Sequence, residues 1–173
     1  MVGMATTTRW LDAEEQQAWR SYIRAVRLVD EHLRRGLEEH DLSHPEYEIL
    51  VRLSEAPDRA VRMSQLAAEV VNSRSRLTHT VSRLERAGWV RRRPSCSDGR
   101  GVECQMTEQG FAALANAAVT HVEGVRTHLL DPLTREEFLA LGAAFAKVAA
   151  AAEKHRVDAC VGAEGPAGAY AAG

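Results

Sequence analysis

The chain has 173 residues, room for one compact domain or for a core plus an oligomerisation arm. It is 45% hydrophobic but only 5% aromatic, and a net charge of −2 excludes a uniformly basic protein that coats nucleic acid. Three cysteines exclude a disulfide framework, and no run approaches the roughly 18 apolar residues of a membrane helix.

Residues 1–11 read as a flexible arm without the apolar core of a signal peptide, so a cytoplasmic protein with no membrane contact is expected. Asp12-x-x-Glu15 has the form of a helix start. Trp19, Tyr22, Ile23, Val26, Val29, Leu33 and Leu37 follow at steps of three and four, predicting a long helix over 12–40 with one apolar face. Ser43-His44-Pro45-Glu46 is a second start: Ser43 caps, Pro45 fits the first turn and Glu46 reaches back to the cap. Tyr47, Ile49, Leu50 and Leu53 supply its buried side, and Ala56-Pro57-Asp58 ends it. Ala60-Val61-Arg62 reads as a short strand, and Ser64 as the cap of a brief helix through Val71. After an Asn72-Ser73 turn, a helix to about Ala87 keeps Leu77, Val81 and Leu84 inward, with Gly88 at a left-handed C-cap. Residues 89–93 and 102–106 read as a hairpin, with the glycine-bearing tip at 97–101. Thr107 caps a long helix carrying Phe111, Leu114, Ala118, Val122, Val125 and Leu129, which Asp131-Pro132 breaks. Thr134-x-x-Glu137 opens a last helix with Phe138, Leu141, Phe145 and Val148, and the Ala/Gly-rich stretch 157–173 is expected to be disordered.

Charge along this order is uneven. Eight arginines (74, 76, 83, 86, 91, 92, 93, 100) face only Glu85 and Asp98 between residues 72 and 101, a local +6 that leaves −8 for the rest. Such a split marks a surface turned towards a polyanion, carried on an acidic body. A brief helix, a turn and a polar-faced helix form a helix-turn-helix, and the hairpin behind it forms a wing. The first turns of the second helix carry Ser73, Arg74, Ser75, Arg76, Thr78, His79 and Arg83, donors of the kind that reach base edges and phosphates in a major groove. On the wing, Arg92 must point opposite to Arg91 and Arg93. Arg92, Arg93 and Arg100 are the expected wing contacts, Arg100 suits a minor groove, and Asp98 is placed to hold the tip rigid.

In this arrangement the chain resembles the MarR family of bacterial transcription regulators. The resemblance covers residues 12–156 and is carried by Leu66-Ala67, Ser73-Arg74-Ser75-Arg76-Leu77-Thr78, Arg83-Leu84-Glu85-Arg86-Ala87-Gly88-Trp89-Val90, Asp98-Gly99-Arg100-Gly101 and Met106-Thr107-Glu108-Gln109-Gly110. It implies a homodimer whose terminal helices interlock, bound to a near-palindromic operator on double-stranded DNA and released by a small ligand. The expected fold is mainly α with a small β-hairpin: a winged helix-turn-helix core at about 43–107, with helices 12–40 and 108–156 forming the dimerisation domain. The long apolar stripes favour a dimer independently, because one small winged helix offers too little surface to cover them.

Relatives lodge effectors between the dimer helices and the DNA-binding lobe. Here Trp10, Trp19, Tyr22, His44, Tyr47, Arg52 and His121 either line a pocket for a phenolic-type organic ligand or are in part plain core. Two other switches stay open. Cys96 and Cys104 flank the wing tip and would form a redox pair if they face each other. His40 and His44 are four apart but a new helix opens between them, and His121 and His128 stand two turns apart on one face, so neither is a tight zinc pair. No metal or other cofactor is expected, and a metal-responsive regulator stays as an alternative. There is no G-x-S-x-G elbow, phosphate-cradling glycine loop or H-E-x-x-H, so the expectation is a regulator and not an enzyme. A winged helix that binds protein instead of DNA is the remaining alternative.

Overall fold

The computed structural model describes residues 8–69, 74–95 and 101–162. They fall into two compact units that meet between Leu129 and Leu130. In the first, α1 (Ala13–Glu38) is followed by α2 (His44–Glu55), a 3-10 turn (Pro57–Arg59), β1 (Ala60–Arg62), α3 (Met63–Glu69), α4 (Arg74–Arg86), β2 (Val90–Pro94), β3 (Val102–Met106) and α5 (Glu108–Val125).

Most helix ends are where their capping residues predict. Asp12 accepts from the Glu15 amide at 2.8 Å and Glu15 accepts from the Asp12 amide at 3.0 Å. The Thr107 hydroxyl accepts from the Gly110 amide at 3.0 Å and opens α5. At the end of α4, Gly88 has φ +77, the Trp89 amide donates to Leu84 O and the Gly88 amide to Glu85 O, each at 3.0 Å. This is a Schellman ending, which glycine permits because it lacks the Cβ that disfavours positive φ. One cap differs from expectation: α3 begins at Met63, directly off β1, so Ser64 lies inside the helix.

Leu37, Ile49, Leu50, Leu53, Leu66, Leu77, Val81 and Leu84 close the core, joined by Val61, Val90 and Met106 from the strands. The wing is larger than a hairpin. β1 adds to it, giving a three-stranded antiparallel sheet in the order β1-β3-β2. The register pairs Ala60 with Gln105, Arg92 with Cys104 and Arg93 with Glu103. Alternation then puts Val61, Val90, Cys104 and Met106 on the core face, with Arg91, Arg93, Glu103 and Gln105 on the other.

The register also corrects the expected cysteine pair. Cys104 lies opposite Arg92, not Cys96, and has no exposed surface. It belongs to the core, and burial pushes its thiol up to about 12. Cys96 lies outside the described residues.

α5 ends in a π-helical turn (Arg126–Leu130) before the predicted Asp131-Pro132 break. In the second unit, α6 (Arg135–Gly162) opens with the reciprocal Thr134–Glu137 cap. It continues past residue 156, where the disordered stretch was expected to start, because neither glycine nor proline interrupts it between Gly142 and Gly162. No helix among the described residues is long and apolar enough to cross a membrane.

Candidate nucleic-acid interface

α4 has two unlike faces. Leu77, Val81 and Leu84 recur at helical spacing and are buried, fixing the helix to the core. Ser75, Arg76, Thr78, His79 and Arg83 are exposed. The Thr80 hydroxyl donates back to Arg76 O at 2.9 Å. Arg74 is the first residue of α4, with its side chain outside the described set, and Ser73, Asp98 and Arg100 also lie outside it.

Three of the expected arginine contacts are engaged by carboxylates of the protein itself. Arg92 turns back onto α4, as strand alternation requires: its Nη1 donates to Glu85 Oε2 at 2.5 Å, and its Nη2 to Ser82 Oγ at 3.0 Å and Thr78 O at 3.2 Å. The Arg92 amide donates to the other Glu85 oxygen at 3.1 Å, so one carboxylate clips the wing to α4. On the opposite face, Arg93 Nε donates to Glu103 Oε2 at 3.1 Å and the Ser95 hydroxyl to Oε1 at 2.8 Å. The Ser95 hydrogen bond, with Arg93 and then Arg62, holds the Glu103 carboxyl below the usual carboxylate range despite some desolvation. Arg83 Nε lies 2.9 Å from Glu46 Oε1. Arg91 instead has a neutral partner: its Nε and Nη2 donate to Gln105 Oε1 at 3.0 and 2.8 Å. The clustered charge is therefore partly internal, and Glu46, Glu85, Glu103 and Gln105 organise it. Hairpin register alone would have paired Arg93 with Glu103; Glu46 and Arg83 lie too far apart in sequence for any such signal.

The expected effector residues separate into groups. His44, Tyr47 and His121 come together at the α2–α5 seam, the Tyr47 and His121 rings 4.5 Å apart and those of His44 and His121 6.4 Å apart. His121 Nδ1 is buried without a hydrogen-bond partner. Burial, then the nearby His44, lowers the His121 pKa, and burial raises that of Tyr47. Trp19 and Tyr22 touch each other on α1, with ring centroids 5.6 Å apart, while Trp10 is 84% exposed ahead of that helix. Arg52 faces Glu55, one turn along α2, at 4.0 Å. His40, His32 and His128 also take unforeseen partners: His40 bonds Thr120 at 2.8 Å and His128 stacks on His32 at 4.0 Å. A cavity of about 290 Å³ beside that stack is lined by His32, Leu33, Gly36, Thr120, Gly124 and His128. A second, of about 440 Å³, lies by Asp58, Arg59, Arg91, Gln105 and Glu108. None of the seven expected effector residues lines either one.

Against known proteins, residues 42–102 match the model of the MarR family. The chain is 35% identical over 150 residues to the HTH-type transcriptional regulator PecS of Dickeya dadantii, covering 86% of this chain and 87% of that protein. Among solved structures it resembles Sco3205 of Streptomyces coelicolor, a MarR family transcriptional regulator in complex with DNA. The TM-score is 0.78 and the identity 44%, over 83% of this chain and 91% of that one. It also resembles AbsC, a MarR family transcriptional regulator of the same organism. There the TM-score is 0.81 and the identity 39%, over 85% and 99% of the two chains.

Proposed function

We propose, since this chain belongs to the MarR family of transcriptional regulators, that it represses transcription as a homodimer bound to a near-palindromic site on duplex DNA. One observation carries the reading. α4 turns an exposed polar face outward from a buried apolar back, in a chain 44% identical to a regulator solved on DNA. Ser73, Arg74, Ser75, Arg76, Thr78 and His79 then read or approach the major groove, and Arg100, steadied by Asp98, clamps the minor groove. Two such helices about 34–36 Å apart would engage successive turns of one DNA face. Repression is steric, the dimer occupying a promoter in the cytoplasm.

Exposed apolar side chains support the dimer. α1 presents Trp19, Tyr22, Ile23 and Val26, and α6 presents Leu139, Phe145 and Val148. Faces of this kind mark interaction surfaces. For release, we assign a phenolic-type organic ligand to the His44, Tyr47 and His121 cluster, where the unpartnered His121 Nδ1 is a hydrogen-bonding handle beside an aromatic wall.

Selection of bound duplexes from a random pool tests the DNA reading. The expected product is a two-fold symmetric site, bound with an affinity that falls steeply as salt rises. Arg76→Ala should cost on the order of 1–3 kcal/mol for each half of that site and relax one position in each half. Failure to enrich any sequence would favour a protein-binding winged helix instead.

A further inference from the structure

We propose that Arg83 is a positioning residue: the Glu46–Arg83 ion pair sets the pose of the recognition helix, and Arg83 does not hold phosphate. The inference rests on the DNA reading above and sharpens it. Glu46 has 2% of its surface exposed, an unusual place for a carboxylate unless its lone pairs are satisfied. They are satisfied from two elements. Oε2 accepts from the Ser43 amide at 2.8 Å and the Ser43 hydroxyl at 2.6 Å, the cap of α2. Oε1 faces Arg83 Nε of α4 at 2.9 Å.

The same guanidinium reaches a third place. Its Nη2 donates to Asp41 O at 3.1 Å, in the turn between α1 and α2, where Asp41 itself has φ 58. One arginine thus ties the recognition helix to the left-handed turn that ends α1 and to the first turn of α2. Its charge is matched by a buried acid, so it adds little net attraction for phosphate. What it fixes is the rotation and tilt of α4 relative to α2. Specific contacts by Arg76 and its neighbours depend on that pose; loose, unselected binding depends on summed charge.

The test uses the full-length protein and two duplexes, the selected site and an unrelated sequence. Arg83→Ala and Glu46→Gln should each weaken the selected site about tenfold and leave the unrelated duplex within about twofold. The double variant should also stay near tenfold, because both changes break one interaction. The salt slope should match wild type in all three. Glu46→Gln carries the test if Arg83→Ala fails to fold, since glutamine also completes this type of cap. If Arg83→Ala weakens both duplexes equally and lowers the slope by about 0.9 for each protomer of the dimer, Arg83 holds a phosphate and the proposal is wrong. Wild-type or tighter binding by Glu46→Gln overturns it as well. If the wild type itself prefers no duplex, the DNA reading fails first and takes this role with it.

Discussion

Cys104 has a cross-strand neighbour, Arg92, and no contact with water. Desolvation raises its thiol from an ordinary 9.0 to about 12. Only the unfolded chain then ionises at this position over that interval, so the contribution to stability is intact below about pH 9 and declines as the pH rises towards 12. We expect Cys104 to resist alkylation in the native protein and to react in denaturant, as mass mapping of each cysteine would reveal. Equal labelling in both states would place Cys104 in an open segment, not in the core. Its position also shows what strand reading from sequence lacks. Alternation correctly turned Arg92 away from Arg91 and Arg93, but the partner of each residue needed the register. Glu103, which engages Arg93, became visible only with it, and Glu85, which engages Arg92, only with the packing of α4 against β2.

At the scale of elements, the wing and α5 meet at close quarters. Thr107 Oγ1 donates to Gly88 O at 2.8 Å, and the Thr107 amide donates to Trp89 O at 3.0 Å. One turn into α5, a Cβ on Gly110 would lie 2.1 Å from that same Trp89 oxygen. Backbone cannot yield as a flexible side chain does. Gly110→Ala should therefore destabilise the protein by about 1–3 kcal/mol, or more if α5 must shift, read as a lower denaturation midpoint at fixed protein concentration. An unchanged midpoint would mean that α5 and the turn before β2 are not in this contact. Helix starts and stops were largely legible beforehand, because a cap is a local hydrogen bond between residues three apart. The third strand was less so. Ala60-Val61-Arg62 is short, and only pairing with β3 makes it part of the wing.

At the scale of the whole molecule, the apolar stripe of α1 is only partly used within the chain. Leu37 at its end is buried, while Trp19 remains 54% and Ile23 45% exposed. If the homodimer uses this face, Ile23→Glu paired with Val26→Glu should convert the protein to monomer in sedimentation experiments. Binding to a two-fold site should fall by at least about tenfold, since a charge forced into an interface core costs roughly 2 kcal/mol or more. A double variant that stays dimeric would move the interface off this face. Burial of the stripe depends on what covers it, and periodicity reports only that a helix has an apolar side.

Local chemistry alone therefore determined much of this protein: the order of helices and strands, the caps, the inward rows of α2 and α4, and the family motifs around the wing. Each rests on residues a few positions apart, where spacing is geometry. Tertiary structure decided what the charges do. Arg83, Arg92 and Arg93 read alike in a basic run, yet each meets a different carboxylate, brought in from α2, α4 or β3. It also gathered His44, Tyr47 and His121 while leaving Trp10 exposed. Glu46 with Arg83 and Tyr47 with His121 are distant in sequence, and even the nearer pairs of Arg92 and Arg93 cross from one element to another, so only chain folding brings them into contact.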